Sequence, residues 1–155
     1  MILTHRLVRL IENHSNDLAD ALVFRVHQSP ALPSYNNVSP EELKQRVHEI
    51  YQHLGEWLLG KTEKDIKRRY EEIGARRFYQ GVPLSELIWT IIQTKDNLWD
   101  FLNRESFQGF EIEVLAEHEL FRMIDRFFNH AIHYAAIGYE QAALTEKLAE
   151  SHTSY

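Results

Sequence analysis

The sequence predicts an all-α fold of about five helices, bundle-like, closed by a long C-terminal helix. Apolar residues recur at three- and four-residue steps along most of the chain, and nothing alternates with period two for long enough to make a strand. Only six glycines and four prolines occur in 155 residues. Pro30, Pro33 and Pro40 fall together, so the rest is nearly free of helix breakers. A chain of this length buries a core without disulfide or metal staples.

The first helix is expected over about residues 2–28, with Leu3, Leu7, Leu10, Ile11, Leu18 and Leu22 on one face and His14 and Arg25 in register with them. Ser29-Pro30 ends it, and residues 30–38 read as an irregular loop of turn formers. Ser39-Pro40-Glu41-Glu42 is a strong helix start: Ser39 caps, Pro40 suits the first helical position, and Glu42 closes a capping box. The stripe that follows runs from Leu43 through Val47, Ile50 and Leu54 to Trp57, and Gly60 stops it. Thr62 and Asp65 offer a second cap for a polar helix to about Gln80 that turns Ile66, Tyr70, Ile73 and Phe78 inward. Gly81-Val82-Pro83 breaks the chain again before a helix to about Asn103. After Gly109 a final helix is expected from Glu111 to about Glu150.

Such a helix is about 60 Å long at the usual rise, whereas a domain of this size is roughly 40 Å across. It must bend or overhang. Its inward stripe also changes character. Ile112, Leu115, Leu120, Met123, Ile124 and Phe127 are large, whereas Ala131, Ala135, Gly138 and Ala142 are small. Small residues at that spacing admit a second helix closely, either the first helix of the same chain or a copy from another subunit. Residues 1–150 read as one domain, and 151–155 as a tail or the start of a linker.

Composition narrows the function. No cysteine occurs, which removes thiolate metal sites and thiol nucleophiles and suits a reducing, cytoplasmic setting. A net charge of −6 argues against nucleic acid as a partner. No apolar run is long enough to span a membrane, and no signal peptide is visible. Nine histidines invite a metal or haem test. A di-iron bundle needs Glu-x-x-His pairs, and the sequence has none. His118-Glu119 begins a zinc-protease motif, but Arg122 holds the place of the second histidine. No metal site and no catalytic residue is therefore expected. Haem needs only an axial histidine in an apolar pocket, so His14, His118 and His130 are weak candidates; the plainer reading makes them interface histidines. Trp57, Tyr70, Trp89 and Trp99 are candidates to line a small-molecule pocket, or simply core. Helical spacing turns Arg77 towards the core, where it needs a carboxylate, helix-end carbonyls or an anionic ligand.

The order and spacing of several segments resemble a known family. They are Leu32-Pro33-Ser34-Tyr35, Ser39-Pro40-Glu41-Glu42-Leu43, the Leu54 to Leu58 segment with Trp57, and above all Gly74 to Leu87 with Arg77, Gly81 and Pro83. Together they are similar to the RsbRD N-terminal domain family, named for co-antagonists of the kinase RsbT in bacterial stress signalling. The resemblance implies a non-enzymatic, cofactor-free input domain ahead of an output module: a STAS domain, a histidine kinase or a transcriptional regulator. Related input domains are globin-like, hold no haem and dimerise, so a globin-like homodimer is implied here. The resemblance brings no catalytic residues. It also gives the Gly81 to Pro83 break a structural use, with Arg77 placed to cap the last carbonyls of its own helix.

Overall fold

The computed structural model describes the backbone of residues 2–106 and 111–153, and the side chains of residues 5–105 and 118–151. The expected Gly109 break and the inward placing of Leu3, Ile112 and Leu115 lie outside the described residues. Those residues hold six α-helices and no strand. The helices are α1 (Ile2–Asn13), α2 (Ser15–Gln28), α3 (Pro40–Gln52), α4 (Glu63–Tyr79), α5 (Leu84–Ser106) and α6 (Glu111–Thr153). A 3-10 helix (Pro33–Asn37) precedes α3, and a π-helical turn (Glu56–Gly60) follows it. The all-α class holds, with more helices than the expected five.

The extra elements come from two breaks. The stretch 2–28 is two helices, because His14 leaves helical geometry and its ring Nδ1 donates to the Leu10 carbonyl at 2.9 Å. The run Asn13 to Asp17 is wholly polar and rich in residues that compete for backbone hydrogen bonds. The second break ends α3 at Gln52 instead of carrying it to Gly60. The chain then re-enters a wider turn, in which the Lys61 amide reaches the Glu56 carbonyl at 2.6 Å, five residues back.

The start signals act locally as the sequence suggests, with one exception. Thr62 and Asp65 form a full capping box: the Thr62 hydroxyl accepts from the Asp65 amide, and the Asp65 carboxylate accepts from the Thr62 amide at 2.9 Å. The Thr62 hydroxyl also donates to that carboxylate at 3.0 Å, and the Thr62 amide and hydroxyl together hold the Asp65 carboxyl below its usual range. Ser39 accepts from the Glu42 amide at 3.1 Å and so caps α3. Glu42, however, does not complete the box. Its carboxylate turns away to side chains of α4.

One buried apolar cluster draws on every α-helix. Ile11, Leu22, Leu54, Leu98, Leu102, Leu120, Ile124 and Phe128 are essentially inaccessible within it. A polar tie crosses this core. The buried Tyr51 hydroxyl donates to the Thr94 carbonyl at 2.8 Å, and the Asn97 amide donates to the Leu18 carbonyl at 3.0 Å. That joins α2, α3 and α5, and it satisfies groups that are costly to bury unpaired.

The last helix is 43 residues long, about 64 Å at the usual rise. Its described buried positions stop at Ala142, and Leu144 and Leu148 beyond it are more than half exposed. No described helix is long and apolar enough to cross a membrane.

Candidate functional site

The segment from Gly74 to Leu87, the most characteristic part of the sequence, forms a junction at which α4 and α5 meet the 3-10 helix, α3 and α6. Arg77 is buried at the end of α4. Its Nη1 donates to the Gln80 side chain at 2.8 Å, and Gln80 in turn donates to Glu42 Oε2 at 2.7 Å. The Arg77 guanidinium lies 3.5 Å from the same carboxylate oxygen and sits over the Tyr35 ring at 5.9 Å. Arg76 takes the other oxygen of Glu42 through its Nε. One carboxylate from the start of α3 thus serves two arginines and a glutamine at the end of α4. Burial alone would push the Glu42 carboxyl up, but the hydrogen bonds from Gln80 and Arg76 and the two guanidinium charges outweigh it. Its pKa lies below the ordinary value. Tyr35 moves the other way, held up by burial despite the nearby Arg77 charge.

The expected capping role of Arg77 is corrected by this geometry. The α4 carbonyls are satisfied by backbone instead: the Gly81 amide donates to Phe78 and the Val82 amide to Arg77, each at 3.0 Å. That double bond pattern closes a helix when the residue beyond the cap is left-handed. Gly81 has φ +76, the only positive φ among the described residues. Replacing Gly81 with alanine is expected to cost about 1–2 kcal/mol, the strain of that conformation for an L side chain. Chemical denaturation checks it, and an unchanged midpoint would contradict the cap assignment. Two further bonds fasten the turn. The Tyr139 hydroxyl of α6 donates to the Val82 carbonyl at 2.7 Å, and the Ser34 amide donates to the buried Glu86 carboxylate at 2.9 Å.

The small-residue face of α6 lies against α4. A Cβ on Gly74 would fall 2.0 Å from the Ala135 carbonyl oxygen, and one on Gly138 would fall 2.1 Å from the Glu71 carbonyl oxygen. The two backbones touch directly. Ala131 and Ala142 are also buried and continue the same helical stripe. The helix that approaches closely is therefore α4, which is neither of the partners the sequence suggested.

The histidine candidates are scattered. His14 is exposed at the α1–α2 break, with its ring 5.4 Å from Phe101. His118 is exposed on the early part of α6. His130 is partly buried, and its Nε2 lies 3.7 Å from Glu63 Oε1. Among the described residues no three histidine or carboxylate groups come together as a metal site would need.

The aromatic candidates also divide. Trp57 and Tyr70 both pack on Phe127, with ring centres 5.7 and 5.9 Å away. Trp99 stands edge-on to Phe121, and Trp89 is exposed. Of the four, Trp57 borders an open cavity of about 400 Å³ between the π-helical turn, the start of α4 and the middle of α6. Lys61, Glu63, Arg126, Phe127 and His130 share its lining. The Lys61 ammonium lies over the Trp57 ring at 5.5 Å, and the Tyr134 hydroxyl donates to Glu63 at 2.6 Å. The sequence grouping of four aromatics missed this cavity, because its charged lining comes from residues far apart in the chain.

No curated protein and no solved structure matches the chain. A family model does, that of the RsbT co-antagonist protein rsbRD N-terminal domain, over residues 16–150. The match takes in the Arg77 junction, the close α4–α6 seam and nearly all of α6. On that evidence the chain belongs to the rsbRD N-terminal domain family of signalling proteins.

Proposed function

We propose that this chain is a non-enzymatic sensory and dimerisation module. It occupies the N-terminal part of a bacterial signalling protein and hands its signal along α6 to an output domain of the STAS, histidine-kinase or transcriptional type. Family membership supports the signalling role. The feature of the molecule that carries the reading is the end of α6. The helix leaves the core after Ala142, and Leu144 and Leu148 stand exposed four residues apart on one face. An apolar pair on an overhanging helix favours a second helix beside it, and a paired helix is a stiff element through which a shift is transmitted. Since Gly138 and Ala135 are already occupied by α4, the dimer contact belongs on the opposite, outward side of α6. The single-domain organisation of residues 1–150, a cytoplasmic setting and a globin-like helix arrangement complete this reading and rest on the family.

Light scattering at micromolar concentration is expected to give twice the chain mass. A variant carrying both Leu144→Glu and Leu148→Glu is expected to be monomeric with an unchanged far-UV spectrum. A wild-type monomer at about 100 μM, where even weak association of this order shows, would overturn the dimerisation half of the proposal.

A further inference from the structure

The cavity beside Trp57 has features that its position in the core does not require. We propose that it binds a small amphipathic carboxylate, an anionic head on an apolar body of about a dozen heavy atoms. The size follows from the cavity of about 400 Å³, at roughly 30 Å³ for each atom-sized occupant. Ile66 and Phe127 supply an apolar inner wall, while the exposed Lys61 and Arg126 supply positive charge. Glu63 is the single carboxylate in the lining, and it is already engaged by the Tyr134 hydroxyl at 2.6 Å. Arg126 has no ion pair among the described residues. The lining therefore has two fixed cations against one occupied anion, in a chain whose net charge is −6. A pocket of mixed apolar wall and unmatched cations selects an anionic amphiphile over a neutral one.

Two further observations point to a ligand. The Trp57 indole N–H is buried and meets no acceptor in the protein. Buried donors are nearly always paired, so this orphan, on a residue that lines the cavity, is one hydrogen-bond site that the protein itself does not fill. Thr90 Oγ1 is also buried and unpartnered, but Thr90 does not line this cavity. Second, Trp57 stands on the π-helical turn Glu56–Gly60. Such turns are rare and recur at functional sites. Leu59 on the same turn is more than half exposed and borders the cavity. His130, on the turn of α6 after Phe127, faces the same space. Occupancy would thus press on the middle of the helix that leaves the core twelve residues later, after Ala142. The proposal deepens the sensory reading and rests on it for biological sense, but binding itself is measurable without it.

Decanoate is a suitable probe, with decanol as its neutral counterpart. In ¹⁵N-labelled protein, the indole signal of Trp57, identified by its loss in Trp57→Phe, is expected to shift saturably as decanoate is added. Decanol is expected to bind at least about tenfold more weakly. The double variant Lys61→Gln with Arg126→Gln, at exposed positions, is expected to raise the decanoate Kd by about tenfold while leaving thermal unfolding unchanged. Equal affinity for decanol, wild-type affinity in the double variant, or no indole shift up to about 1 mM decanoate would each overturn the site. Light scattering on the same samples keeps the readings apart. A dimer that ignores decanoate sinks the ligand site alone, whereas a monomer that binds decanoate sinks dimerisation alone.

Discussion

Replacing Gly138 with alanine is expected to destabilise the fold by about 3 kcal/mol, against the direction that helix propensity predicts. In a free helix the same change is worth about 1 kcal/mol of added stability. The decisive fact is the 2.1 Å that would separate the new Cβ from the Glu71 carbonyl oxygen. The obstacle is backbone rather than the end of a flexible side chain, so the clash can be relieved only by moving α4 and α6 apart. Gly74→Ala is expected to behave alike, since its Cβ would meet the Ala135 carbonyl oxygen at 2.0 Å. Because both substitutions open the same seam, the double variant should lose clearly less than the sum of the singles. Gly60→Ala is the control. Nothing lies within 4 Å of its added Cβ, so it should be neutral or slightly stabilising. Urea denaturation at constant m gives all four values. A Gly138→Ala protein as stable as wild type would mean that the helices do not touch as described.

The second large effect is expected at Glu42. Truncation to alanine should cost about 3 kcal/mol, because it leaves the buried Arg77 guanidinium with Gln80 as its remaining polar partner. Removing the arginine instead, as Arg77→Met, should cost less. Glu42 keeps Arg76 and Gln80, and methionine fills much of the vacated volume. The interaction also has a pH signature. The folded carboxyl titrates below its ordinary value of 4.5, so it contributes stability that is fully present above that pH. The contribution fades as pH falls from there through the depressed folded value. Wild type should therefore lose more stability than Glu42→Ala on acidification across this window. Parallel acid profiles for the two proteins would remove Glu42 from the account.

The two sites show how far local rules reach. Thr62 and Asp65 are three residues apart and do what a capping box does wherever it occurs, so that start was legible. Ser39 was legible for the same reason. Glu42 fits the same pattern and yet is spent on α4, since a desolvated guanidinium gains more from a carboxylate than an exposed helix end does. Nothing at three-residue spacing reports a partner 34 residues away. The break at His14 is a different kind of miss. The polar run from Asn13 to Asp17 was a readable signal, masked by the apolar periodicity on either side of it.

By itself the sequence determined the class, most boundaries and the inward faces, because each follows from interactions within one or two turns of helix. It showed that Ala131, Ala135, Gly138 and Ala142 were shaped for a close neighbour, and that Arg77 needed a countercharge. Only the tertiary structure decided that the neighbour is α4 and that the countercharge is Glu42. It alone brought Lys61 and Arg126 together beside Trp57. A stripe of small or charged side chains records that something is to be covered or paired, but the covering group is chosen by how distant helices pack, and that choice has no local period to read.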